Sequence, residues 1–151
     1  MKKLFEFELT NPSDVSIVPL IEELSQNLKS RFDSDGKNSF QHWEENNSKF
    51  IFIGLKLNNE YIGCGAIRPI SEHIGEVKRM YSKYKSIGIG STVLAILQDE
   101  AKKAGYEQLC LETREKNIEA CNFYQKHGFV RIKNYGQYKD KPQPACFGKA
   151  I

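Results

Sequence analysis

Residues 76–82 form a β-rich run that leads through the turn Lys85-Ser86-Ile87-Gly88-Ile89-Gly90 into a helix pattern from Ser91, with Leu94, Leu97, Ala101 and Ala104 on one face. The first-turn N–H groups of a helix have no internal partners, and the macrodipole adds a partial positive charge there. A phosphate is stabilised at such a point. Gly88 and Gly90 remove the Cβ atoms that would hold it off the backbone, while Lys85 and Ser86 offer a charge and a hydroxyl. Taken alone, the pattern is equally that of a tight turn. A dinucleotide fingerprint would need a third glycine where Val93 and Leu94 stand, and no phosphate loop of the GxxxxGK type is present.

The flanking sequence predicts the rest of the sheet. Leu4 to Leu9 reads as a strand, and Asn11-Pro12-Ser13-Asp14 as a turn with helix-cap chemistry. Ile17, Leu20, Ile21, Leu24 and Leu28 recur at helical steps and predict a helix over 15–32, ended by Asp33-Ser34-Asp35-Gly36. Ser39 to Glu45 reads as a short second helix, in which Trp43 either packs or lines a pocket. Runs 50–57 and 61–67 are strands joined by Asn58-Asn59-Glu60, a hairpin signal. A strand at 108–112, a helix at 118–126 and a last strand near 145–149, after Pro142 and Pro144, complete the order β-α-α-β-β-β-α-β-α-β-β. This is a mixed α/β sheet in one domain over 1–151, without repeat or linker.

Composition narrows the function classes. With 40% hydrophobic and 27% charged residues, a disordered chain is excluded. The net charge of +3 is spread along the chain, so no basic block favours nucleic acid, and the mild positive bias suits a small anionic ligand. Cys64, Cys110, Cys121 and Cys146 form no CxxC pair and no metal-ligand spacing with His42, His73 or His127, which points to a reduced, cytoplasmic protein without a metal site. No segment approaches the roughly 20 apolar residues of a membrane span.

Two segments together resemble a known family. Glu76-Val77-Lys78-Arg79-Met80-Tyr81, the glycine turn, its helix and Gly105 to Thr113 are similar to motif A of the GNAT acetyltransferases. Asn117-Ile118-Glu119-Ala120-Cys121-Asn122-Phe123-Tyr124-Gln125-Lys126-His127-Gly128-Phe129 resembles the family's B motif, in which an Asn starts a helix and a Tyr precedes a terminal Gly-Phe. The likeness runs from about Ile62 to Phe147. Two departures stand out: Lys85-Ser86 replaces the usual Arg- or Gln-led start of the turn, and Ser82-Lys83-Tyr84 makes the approach about two residues shorter. Lys is a phosphate binder, but not a forked one.

The resemblance implies the GNAT acyl-CoA N-acyltransferase fold, a twisted, mostly antiparallel sheet flanked by helices, with a parallel pair of strands that splay apart. It also implies acetyl-CoA as cosubstrate and leaves a homodimer as a family-level expectation. Cofactor contacts would come from Met80, Tyr81, Ser82, Lys85, Ser86, Ile87, Gly88, Ile89, Gly90 and Ser91, and from Asn117, Ala120, Phe123 and Tyr124 on the B-motif helix. A backbone N–H of Met80 or Tyr81 would face the thioester oxygen.

Transfer from a thioester to an amine needs an oriented carbonyl, oxyanion stabilisation, a neutral nucleophile and a proton for the departing thiolate. Tyr124 is the candidate acid, with a core aromatic as the alternative; Asn117 divides between cofactor contact and helix N-cap. Glu76 is the candidate base, Glu112 the second, and ordered water the third. None of the histidines is a prime site, and Cys110 and Cys121 read as packing. Arg68, Lys78 and Arg79 would flank an acceptor cleft, closed by residues 32–43 and Tyr135-Gly136-Gln137-Tyr138. A primary amine of a small molecule, acidic or amino-acid-like, is the expected acceptor. A non-catalytic acyl-CoA-binding regulatory module is the alternative.

Overall fold

The computed structural model describes residues 5–32 and 42–151. In chain order the elements are β1 (Glu6–Thr10), α1 (Val18–Phe32), β2 (Ile51–Leu57), β3 (Glu60–Pro69), β4 (Ile74–Ser82), α2 (Ile89–Lys103), β5 (Gln108–Arg114), α3 (Ile118–Lys126), β6 (Val130–Ile132), a 3-10 turn at Gly136–Tyr138 and β7 (Pro144–Ala150). The strands make one seven-stranded sheet in the order β1-β2-β3-β4-β5-β7-β6. Every neighbouring pair is antiparallel except β4 and β5.

Local chemistry sets the boundaries. Asp14 holds residues 15–17 in a turn, its Oδ1 accepting from the Ser16 N–H at 2.9 Å and its carbonyl from Ile17 and Val18, so α1 starts at Val18 instead of Val15. The end expected at residues 33–36 lies outside the described residues, as does most of the expected helix at 39–45. The described part of that segment, 42–45, is not helical. Asn58 and Asn59 both take left-handed φ, 53° and 63°, which is what a two-residue hairpin turn requires. α3 is capped by Asn117, whose Oδ1 accepts the Ala120 N–H at 3.1 Å, and it stops before Gly128 at φ 90°.

α2 and α3 cover one face of the sheet. Val93, Leu94, Leu97 and Ala101 pack there with Ile53, Leu55, Ile67, Val77 and Leu109, and Tyr124 and Phe129 extend the cluster under α3. α1 covers the other face, where Ile17 and Leu20 meet Phe52, Tyr61, Cys64 and Ala66. Burying side chains of this kind contributes about 1.5–3 kcal/mol each. Trp43 joins the second layer edge-on to Phe50 and Phe52, at centroid distances of 5.2 and 5.9 Å, and packs.

The feature that makes a site is a split in the sheet. β4 and β5 pair only at Ile74–Gln108, Gly75–Leu109 and Glu76–Cys110. Beyond that point β4 stays with β3 as far as Ser82, and β5 with β7 as far as Arg114, so the two halves diverge into a wedge. Arg79 adds a bulge on the β4 side: its φ is 53°, the β3 register slips between Cys64 and Ala66, and its carbonyl accepts from Cys64 Sγ at 3.3 Å.

Candidate active site

The wedge opens into a cavity of about 560 Å³. β4 lines it with Val77, Lys78, Arg79 and Met80, and β5 with Glu112, Thr113 and Arg114. α3 contributes Asn117, Ala120 and Tyr124 from one side, while Leu24, Leu28 and Phe32 of α1 come from the other. Gln137, Tyr138, Lys141, Gln143 and Pro144 form the remaining wall. The fold thus brings Tyr124, Asn117, Ala120, Met80 and the 137–138 segment to one space.

Tyr124 is 9% exposed, wedged edge-on against Phe123 and Phe129 at 5.1 and 5.7 Å. Its hydroxyl has no hydrogen-bond partner among the described residues, and burial raises its pKa well above the ordinary tyrosine value, which keeps it protonated. Asn117 lines the cavity, but its side-chain oxygen is committed to the cap of α3.

The glycine turn lies at the α2 end of the wedge. Ser86 and Gly88 both adopt left-handed φ, 68° and 80°, and α2 begins at Ile89, two residues before the expected Ser91, because the Gly88 carbonyl already accepts from the Thr92 N–H and hydroxyl at 3.0 and 2.8 Å. No side chain caps the helix and its first turn carries no acidic residue. The N–H groups of Ile89, Gly90 and Ser91 therefore have no acceptor among the described residues. A Cβ added at Gly88 would meet nothing within 4 Å, so the space above the turn is open, whereas one at Gly90 would lie 3.3 Å from Phe123 and from Ser82 Oγ. Open donors and open space at the helix start suit a phosphate group.

The remaining expected contacts divide. Phe123 packs against Gly90, and Ser91 Oγ lies 3.0 Å from His127 Nε2, which ties α3 to the start of α2. Lys85 is exposed and 3.5 Å from Glu119. Ile87 packs partly into the core. Tyr81 turns its side chain to the α1 face, donating to Glu23 at 3.0 Å. Ser82 pairs with Gly63 at the end of β4.

Glu76 is 3% exposed and lies behind the cavity wall. One oxygen accepts from the Tyr135 hydroxyl at 2.5 Å; the other is 3.4 Å from Arg68 Nε and 3.9 Å from Lys78 Nζ. Burial beside this carboxylate drives the Tyr135 pKa far up. Glu112, in contrast, reaches the cavity itself, and desolvation raises its pKa against the pull of Lys78 and Arg114. Burial lowers the Lys78 pKa, partly offset by Glu76 and Glu112. Arg114 and Lys141 also line the cavity; no local sequence signal marks either, and only the fold carries them there. Among the described residues no group of His, Cys, Asp and Glu could hold a metal, and no helix is long and apolar enough to cross a membrane.

The chain as a whole is similar to known proteins. A model of the Acetyltransferase (GNAT) family matches residues 17–129. An IAA acetyltransferase of Azospirillum brasilense is 30% identical over 135 residues, 87% of this chain and 88% of that one. Among solved structures, an acetyltransferase from Streptococcus agalactiae superposes with a TM-score of 0.77 at 17% identity, covering 97% and 98% of the two chains. A GNAT family acetyltransferase from Elizabethkingia anophelis with acetyl-CoA bound gives 0.66 at 18% identity, covering 99% and 100%. With the family matched over most of its length and the split sheet and open helix start in place, this chain belongs to the GNAT family and is an acetyl-CoA-dependent N-acetyltransferase.

Proposed function

We propose that the enzyme acetylates the primary amine of a small molecule by direct attack within a ternary complex. The observation that carries this reading is that the Tyr124 hydroxyl, Glu112 and the diverging edge of β4 all border one cavity of about 560 Å³, a size ordinary for small-molecule sites, which run to roughly 300–1,000 Å³. Among the described residues no cysteine lines that cavity, which favours direct attack over a cysteine-bound acetyl intermediate.

Acetyl-CoA, when bound, supplies the activated acetyl group and a thiolate leaving group. The open N–H groups at Ile89, Gly90 and Ser91 hold phosphate oxygens, with Gly88 admitting them and Lys85 and Ser86 beside them. The β4 edge after the Arg79 bulge, at Met80 or Tyr81, provides a backbone donor for the developing oxyanion, and Ser82 continues that edge. Ala120, Phe123 and Asn117 shape the α3 wall. Tyr124, kept protonated by burial, donates to the departing sulfur. Both oxygens of Glu76 face partners behind the wall, so our reading gives it the task of holding Lys78 and Tyr135 in place. Proton acceptance from the amine then falls to Glu112, whose raised pKa brings it toward the range a base needs.

Initial rates with acetyl-CoA and acceptor varied together test the order of events. Lines that converge in double-reciprocal plots are expected; parallel lines would point to an acetyl-enzyme and remove direct attack.

A further inference from the structure

The acceptor side of the cavity has an uneven charge. Among the described residues its walls carry Lys78, Arg114 and Lys141, with Arg79 engaged by Ser25 Oγ at 2.9 Å, against the single carboxylate of Glu112. Glu76 behind the wall stands 3.4 Å from Arg68 and 3.9 Å from Lys78, so its one charge is shared between two cations. The whole chain has a net charge of only +3, against which a surplus of cations on one wall stands out. Lys78 is the most constrained member: 7% exposed, it donates to the Tyr138 hydroxyl at 2.9 Å and is 3.9 Å from Glu76, beyond hydrogen-bond length. An ammonium has three donors, so a buried Lys78 retains hydrogen-bonding capacity toward the cavity it lines. Opposite these charges Leu24, Leu28 and Phe32 of α1 present an apolar wall.

We infer that the acceptor is an amine carrying a carboxylate and a compact apolar arm, the carboxylate seated on Lys78 with Arg114 and Lys141 around the mouth, and the arm against Leu24, Leu28 and Phe32. This rests on the small-molecule reading above. A dication such as a polyamine would meet a surplus of like charges in a half-closed space, where repulsion is least screened. A carboxylate meets them as partners, and its amine is left beside Glu112, the one group on the wall able to take its proton.

Thiol release from acetyl-CoA with matched acceptors tests the inference: leucine against leucinamide, phenylalanine against phenylalaninamide, with spermidine and short peptides alongside. The free acids are expected to exceed their amides in kcat/KM by about 10²-fold, the size expected for a desolvated charge pair. Lys78→Met should shrink that ratio to roughly fivefold, and Lys141→Glu, at an exposed position that does not threaten folding, should cut it about threefold. Where turnover is too slow to rank, calorimetric titration of acid and amide into the protein with coenzyme A reads the same ratio as affinity. Amides or spermidine preferred, or a ratio unmoved in both variants, would overturn the carboxylate and leave the small-molecule reading standing. Turnover confined to peptides would overturn both, and acids that neither react nor bind would overturn the inference.

Discussion

Replacing Tyr124 by Phe separates chemistry from packing. The ring is held on both sides by Phe123 and Phe129 at 5.1 and 5.7 Å, contacts that phenylalanine keeps. The hydroxyl has no protein partner among the described residues, so its removal strands no donor or acceptor. Deleting one half of a hydrogen bond costs about 1–3 kcal/mol through the group left behind; here there is no such group, and stability should stay within about 0.5 kcal/mol. Catalysis should not. A positioned general acid is worth about 10²–10⁴-fold, and because the remaining wall is intact the lower end applies: kcat should fall by about 10²-fold. Acetyl-CoA affinity should hardly change. Burial keeps the phenol protonated, so the wild-type rate should show no alkaline limb from this group at neutral or mildly alkaline pH. Urea unfolding, calorimetric titration of coenzyme A and steady-state thiol release on one preparation provide all three readings. A fall in kcat under threefold with fold and affinity intact would remove Tyr124 from the chemistry; a collapse in stability would mean the hydroxyl has a structural task.

Gly88→Ala places a Cβ on a residue at φ 80°, which costs roughly 1–2 kcal/mol, and fills the open space over the turn; titration should show at least about tenfold weaker acetyl-CoA binding. Glu76→Gln leaves Arg68 and Lys78 around a neutral group, so urea unfolding should show a loss of about 3 kcal/mol, with little change in the pH dependence of kcat if its role is to position others. Glu112 has a folded-state pKa above its unfolded value, so its stabilising contribution is complete below about pH 4 and is lost as pH rises through the folded pKa. Glu112→Gln should therefore match wild type in thermal midpoint near pH 4 and exceed it at pH 7.5, while losing the acidic limb of the rate profile. An unchanged acidic limb would return the base role to water or to Glu76.

Much of this molecule is legible in its sequence where local chemistry decides. α3 begins and ends where Asn117 and Gly128 say it should, since a cap and a left-handed stop are both written within one turn of the helix. The hairpin at Asn58-Asn59 and the core stripe of α2 follow for the same reason. Boundaries slipped where a backbone group did the capping: the Gly88 carbonyl starts α2 at Ile89, and the Asp14 turn delays α1 to Val18. The bulge at Arg79 had no signal, because arginine is not a residue that announces a left-handed φ. Nor could the Glu76 cluster be read, since Tyr135 lies 59 residues along the chain and meets it only through the sheet. At that distance sequence shows the Glu76 charge and hides its partners. Arg114 and Lys141 remained unremarked for the same reason.

We propose that this chain uses the Lys85–Gly90 turn and the split between β4 and β5 to move acetyl from acetyl-CoA to an amine. Incubation with acetyl-CoA and a pool of carboxylate-bearing amines, with free thiol and N-acetylated product quantified together by mass spectrometry, tests it most directly. Thiol and N-acetyl product should appear in equal amounts and only when acceptor is present; tight acetyl-CoA binding with no product from any acceptor would contradict it.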